Sequence, residues 1–91
     1  MGKKLEHYTA TWCGPCKAMK PVIEQYLSEH PEIEYEAIDI NEQEERSRAA
    51  GVQGVPTFVA TNVDKNGKGC RSTATGAMPP AKLDLLFNCP N

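Results

Sequence analysis

The 91-residue chain has no long apolar run, no surplus of basic residues and no second pair of closely spaced cysteines. No apolar stretch approaches the roughly 18 residues of a membrane helix, so we expect no transmembrane segment. Lys and Arg number 10 against 12 Asp and Glu, a net charge of −2, which argues against a nucleic-acid partner. Because domains commonly have about 100–150 residues, we expect one domain over residues 1–91.

The first residues also lack a targeting signal. Met1 to Lys4 resemble a short basic leader, but a polar stretch follows where export needs an apolar one. Glu6 stands where a myristoylation motif needs Ser or Thr. We therefore expect a cytoplasmic protein, where thiols stay reduced and a close cysteine pair is more often catalytic or metal-binding than structural.

The spacing of apolar and turn residues predicts the order β-α-β-α-β-β-α, an α/β layer plan. Asn41 and Glu44 have capping-box spacing for the second helix, and Pro21 predicts a kink in the first. The predicted strands are residues 5–10, 33–40, 57–61 and 70–75, and the predicted helices cover 15–28, a short segment through Ala50 and a last segment from Pro80.

The segment 12–17, Trp-Cys-Gly-Pro-Cys-Lys, lies between the first predicted strand and helix. A thiol at a helix N-terminus has a lowered pKa, because unpaired N–H groups and the helix dipole stabilise its thiolate. We expect Cys13 to be the exposed nucleophile, and Cys16 to be shielded and to attack the mixed disulfide that Cys13 forms. Pro15 suits a first helical turn, and Gly14 allows close backbone approach.

Other uses of this cysteine pair fit less well. Zinc takes four ligands, and the remaining candidates are scattered along the chain, so we expect no metal site. Those candidates are His7, His30, Cys70 and Cys89. A purely structural disulfide across so small a loop would contribute little stability.

Three motifs together resemble the thioredoxin family. Residues 12–17 match its active-site hexapeptide, residues 51–58 its proline-containing stretch, and residues 75–77 the glycine turn before its last helix. The resemblance implies the thioredoxin fold in a minimal form, a four-stranded mixed sheet flanked by three helices. Only 12 residues precede Cys13, so we expect the family's leading strand and helix to be absent. Dithiol–disulfide exchange at Cys13 and Cys16, with no cofactor, is the implied activity.

The resemblance also implies roles for residues around the cysteines. Val55-Pro56 would be a cis peptide against the two sulfurs, and the Val55 backbone would pair with an extended substrate segment. Trp12 would form part of an apolar rim. Gly14 and Pro15 would shape the site. The implied substrate-binding residues are Trp12, Val55, Pro56 and Gly76.

His7 occupies the position of the family's buried aspartate, and Ala37 that of its lysine partner. The resemblance implies that this aspartate takes a proton as the second cysteine attacks. Imidazole titrates near pH 6.5, so His7 is a candidate proton relay. The alternative is a histidine that the core merely tolerates.

Glutathione-dependent, glutaredoxin-like activity is the nearest alternative within the fold. Such sites favour a tyrosine between the cysteines and an acidic residue after the hairpin, and neither Gly14-Pro15 nor residues 75–78 provide them. We therefore expect disulfide-containing protein substrates, a thioredoxin reductase-type electron donor and a monomer. A non-catalytic thioredoxin-fold subunit of a larger complex is the third hypothesis, and the intact cysteine pair argues against it.

Cys70 and Cys89 form a possible structural disulfide. From the turn at Gly76, Cys70 is roughly 20 Å along a strand and Cys89 roughly 15 Å along a helix that folds back beside it. The two cysteines would therefore lie at similar distances from the turn. A disulfide there would close a loop of about 18 residues and contribute on the order of 3 kcal/mol. Two free thiols are the alternative that the sequence leaves open.

Overall fold

A computed structural model describes residues 2–88. Its elements follow the order predicted from the sequence, and most bounds agree within three residues. The elements are β1 (Gly2–Thr9), α1 (Gly14–Glu29), β2 (Ile33–Asp39), α2 (Glu44–Ala49), β3 (Thr57–Val63), β4 (Gly69–Thr75) and α3 (Pro80–Leu86).

The four strands form one mixed sheet in the order β2-β1-β3-β4. Strand β1 runs parallel to β2 and antiparallel to β3, and β3 pairs with β4 as a hairpin. This arrangement confirms the predicted four-stranded mixed sheet with three helices. It places the C-terminal end of β1, and therefore the start of α1, near the middle of the sheet.

The sheet is covered on both faces by apolar contacts. Helices α1 and α3 pack on one face, and residues next to α2 pack on the other around Tyr8, Ile38 and Val59. The larger cluster consists of Leu5, Met19, Ile23, Tyr26, Ile33, Phe58, Ala60, Leu83, Leu86 and Phe87. Within residues 2–88, no helix is long and apolar enough to cross a bilayer.

The start of α2 differs from the prediction. The capping box at Asn41 is wrong, because the helix begins at Glu44 with Gln43 as an N-cap whose side chain makes no capping bond. The Asp39 carboxylate instead accepts the Asn41 N–H at 2.8 Å and the Glu42 N–H at 3.2 Å, forming a turn before the helix. Asp39 therefore competes for the backbone groups that a capping box would order.

Two further sequence predictions concern particular residues. Pro21 does lie inside α1, which continues through Glu29. The possible disulfide between Cys70 and Cys89 lies outside the described residues, because Cys89 follows residue 88.

Candidate active site

Cys13 and Cys16 form a disulfide at the N-terminus of α1, with their Cα atoms 5.3 Å apart. Cys13 is the N-cap residue, and its Sγ accepts the backbone N–H of Cys16 at 3.1 Å. Pro15 stands in the first turn, where it removes no intrahelical bond. The same N–H and the helix dipole would stabilise a thiolate on Cys13 once the disulfide is reduced.

The prediction that Cys13 is exposed is wrong for this disulfide form. Cys13 and Cys16 are each only 3% exposed and pack with Ala10, Ile40 and Val55. The capping geometry turns the Cys13 sulfur inward over the helix N-terminus, and three loop residues cover it. The predicted shielding of Cys16 is confirmed.

The loop before β3 lies against the disulfide. The Val55-Pro56 peptide bond is cis, as the resemblance implied, and Val55 contacts the cluster that contains both cysteines. The carbonyl of Pro56 accepts the N–H of Gly76 at 2.8 Å, which joins this loop to the turn after β4. Gly76 has a φ of 106°, a conformation that side chains disfavour. Trp12, next to Cys13 in sequence, is 66% exposed.

Thr57 is a site-forming residue that the sequence analysis did not identify. Its hydroxyl donates to the Gly54 carbonyl at 2.5 Å and lies 3.1 Å from the Thr75 hydroxyl. These contacts connect the loop carrying Val55 and Pro56 to the end of β4. No local sequence pattern predicts the contact between Thr57 and Thr75, because only the pairing of β3 with β4 brings these residues together.

His7 lies in the core beneath the active-site helix and is 4% exposed. Its ring stacks on Phe58, with centroids 4.6 Å apart and planes 9° apart. Burial lowers the pKa of His7 to about 4, because the charged ring would lose its hydration. The ring is therefore neutral at physiological pH in the disulfide form.

One nitrogen of this ring has a partner and the other does not. Nδ1 of His7 lies 3.1 Å from the hydroxyl of Tyr35, whereas Nε2 is buried and has no hydrogen-bond partner among the described residues. Tyr35 was not among the residues predicted from the sequence. The parallel register brings the two together, because Leu5 pairs with Tyr35 and His7 with Ala37, which places all four residues on one sheet face.

A cavity of about 380 Å³ connects these groups to the active-site helix. His7, Cys16, Tyr35 and Ala37 all line it. Ala37, at the position of the family's lysine, leaves open the space that a longer side chain would occupy. Within residues 2–88, no three metal-ligating side chains cluster in or near it.

The thioredoxin family model matches residues 3–85. The chain belongs to the thioredoxin family. Thioredoxin from Listeria monocytogenes is 33% identical over 88 residues, which are 96% of this chain and 82% of that protein. Thioredoxin-2 from Pyricularia oryzae is 34% identical over 92% of this chain, but the matched part is only 46% of that protein. The chain thus spans about half the length of one relative and most of another.

Solved structures agree with this family assignment. Oxidised mitochondrial thioredoxin 3 from Saccharomyces cerevisiae superposes with a TM-score of 0.79 at 29% identity, covering 96% of this chain and 78% of that one. Fasciola hepatica thioredoxin gives a TM-score of 0.78 at 31% identity, with 96% and 79% covered. The fold and the family predicted from the three motifs are therefore confirmed.

Proposed function

We propose that this protein, acting as one domain, reduces disulfides in other proteins through Cys13 and Cys16. The observation that carries the proposal is the Cys13–Cys16 disulfide at the N-terminus of α1 in a member of the thioredoxin family. The cysteines share a disulfide in this structure, which is the product state of such a reaction. No bound cofactor enters the reaction, because the two sulfurs carry both electrons.

The proposed reaction has two exchange steps. The Cys13 thiolate attacks one sulfur of the substrate disulfide, whose S–S bond breaks and releases the other sulfur as a thiolate. Cys16 then loses its proton and attacks the Cys13 sulfur, which breaks the mixed disulfide and releases the second substrate thiolate. The substrate gains two electrons and, after protonation, two thiols, while the protein gains the observed disulfide.

The proposed substrate-binding surface consists of Trp12, Val55, Pro56 and Gly76. The apolar exposed ring of Trp12 adjoins Cys13, and Val55 packs against the disulfide. The hydrogen bond between Gly76 and Pro56 keeps the two loops together beside the sulfurs. An extended segment pairing with the Val55 backbone would present its disulfide to Cys13.

His7 is the proposed proton acceptor for Cys16. Both residues line the same cavity, and Nε2 is available because it has no partner among the described residues. Although burial holds the pKa of His7 near 4, a thiolate forming on Cys16 would raise that pKa by charge attraction. After taking this proton the imidazole is positively charged and stabilises the thiolate, whereas an aspartate that took the proton would be neutral.

The proposed partners are disulfide-containing proteins and a reductase that returns electrons to the Cys13–Cys16 disulfide. A reducing compartment such as the cytoplasm suits this direction of electron transport. Structurally similar proteins include a mitochondrial and a chloroplastic thioredoxin. Localisation of the tagged protein in its own cells tests the cytoplasmic assignment, and accumulation in an organelle would contradict it.

Insulin reduction with dithiothreitol as electron source tests the function. We expect wild type to accelerate the reaction and Cys13→Ser to abolish the acceleration. Absence of turnover by wild type would contradict the proposal and favour a non-catalytic subunit. Turnover sustained by glutathione alone, at a rate equal to that with a thioredoxin reductase system, would favour the glutaredoxin-like alternative.

A further inference from the structure

The His7 ring is held in one orientation by contacts on two sides. Phe58 from β3 stacks against one ring face, and the Tyr35 hydroxyl from β2 lies 3.1 Å from Nδ1. Rotating the ring by 180° would put Cδ2 in the place of Nδ1 and break this hydrogen bond. Nε2 is therefore the ring nitrogen without a partner among the described residues.

The partner of Nδ1 decides which nitrogen carries the proton of the neutral ring. If the Tyr35 hydroxyl donated to Nδ1, the proton would lie on Nε2, as a buried N–H with no acceptor among the described residues. Orphaned buried N–H groups are rare in proteins. If Nδ1–H instead donates to the Tyr35 oxygen, Nε2 keeps a free lone pair. Tyr35 is 36% exposed, and its hydroxyl oxygen, 3.1 Å from Nδ1, can accept this hydrogen bond.

Among the described residues, His7 lines the cavity together with a defined set of titratable groups. From α1 these are Cys16, Lys17, Lys20 and Glu24, and from β2 only Tyr35, while the neighbour from β3 is the uncharged Phe58. The lysines disfavour a positive charge on His7, and Glu24 favours it.

We propose that Tyr35 is a positioning residue for disulfide exchange: its hydroxyl oxygen accepts Nδ1–H of His7, so that Nε2 receives the proton of Cys16. The inference rests on the proposed role of His7 and adds a residue to it. The S–H bond of Cys16 breaks, its electron pair forms the bond to the Cys13 sulfur, and the substrate sulfur leaves as a thiolate. The proton then passes from Nε2 to that thiolate or to solvent.

Tyr35 also stabilises the ring in its charged form. Once Nε2 is protonated, the Nδ1–H bond to Tyr35 becomes a charge-assisted hydrogen bond, which is stronger than the neutral one. Tyr35→Phe removes this bond and keeps the aromatic ring. We expect single-turnover insulin reduction by the pre-reduced protein to be about tenfold slower near neutral pH. The acid limb of the pH profile should move to lower pH, because the imidazolium is less stable without its acceptor.

Tyr26→Phe is the matched control. The Tyr26 hydroxyl also makes a buried hydrogen bond, donating to Asp84 at 3.1 Å, but Tyr26 is not among the residues lining this cavity. We expect this variant to keep the wild-type rate within about twofold and the wild-type pH profile. Combining Tyr35→Phe with His7→Asn should slow the reaction no further than His7→Asn alone, because Tyr35 acts through His7.

Nitrogen NMR of the wild type tests the tautomer without any substitution. We expect the neutral His7 ring to carry its proton on Nδ1, and a proton on Nε2 would overturn the proposal. An unchanged rate and pH profile in Tyr35→Phe would overturn it as well. If His7→Asn retains the wild-type rate, the role of His7 fails too, and if wild type does not reduce insulin, the proposed function itself fails.

Discussion

Burial of His7 in neutral form predicts a specific loss of stability in mild acid. The pKa of His7 is about 4 in the folded protein and about 6.5 in the unfolded chain, so the unfolded chain binds the proton more readily. The stabilising effect is fully present above about pH 6.5 and is lost as the pH falls toward 4. Linkage between these two values gives a loss of about 2 kcal/mol between about pH 7 and about pH 5.

Urea unfolding of the oxidised protein at both pH values measures this loss, with the slope checked for two-state behaviour. His7→Asn cannot titrate, and we expect its free energy of unfolding to fall by about 2 kcal/mol less than that of wild type. His30→Gln is the control, because His30 is the C-cap of α1 and its side chain is 33% exposed. A wild-type loss below about 0.5 kcal/mol, or an equal loss in His7→Asn, would show that burial of neutral His7 is not the cause.

Three further predictions concern stability. Arg46 donates to both carboxylate oxygens of Glu36, at 2.6 and 2.7 Å, and with Lys4 lowers the pKa of Glu36 to about 2. The stabilisation from ionised Glu36 is present above about pH 4.5 and is lost as the pH falls toward 2. Arg46→Gln should therefore raise the midpoint of acid unfolding seen by circular dichroism. An unchanged midpoint would contradict this prediction. Phe58→Ala should lower the free energy of unfolding in urea by about 3–5 kcal/mol, because Phe58 is fully buried. A decrease below about 1 kcal/mol would show that neighbouring side chains move into the cavity. Thr57→Val should cost about 1–2 kcal/mol in the same assay through its lost hydroxyl bonds, and a stabilised variant would oppose that reading.

Local patterns account for the part of the fold that could be predicted. The alternation in residues 33–40 and the apolar spacing along α1 depend only on near neighbours, and both elements form as expected. Gly51 and Gly67 end α2 and turn the β3–β4 hairpin with φ values of 74° and 79°, which glycine adopts readily. The disulfide was predictable because strand, cysteine pair and helix are contiguous in sequence.

The parts that could not be predicted depend on contacts between distant segments. Burial of Cys13 results from Ala10, Ile40 and Val55, which come from three separate loops. The bond between His7 and Tyr35 joins residues 28 positions apart and depends on the parallel register of β1 and β2. Neither packing nor register is encoded in a local motif, so the sequence offered candidates for the site but not its geometry.

Trapping the mixed disulfide tests whether Cys13 attacks the substrate and Cys16 resolves the intermediate. Reduced Cys16→Ser is mixed with an oxidised model protein, and the products are digested and mapped by mass spectrometry without reductant. We expect an adduct joined through Cys13, absent from Cys13→Ser and short-lived in wild type. An adduct that forms equally well without Cys13, or none at all in Cys16→Ser, would contradict it.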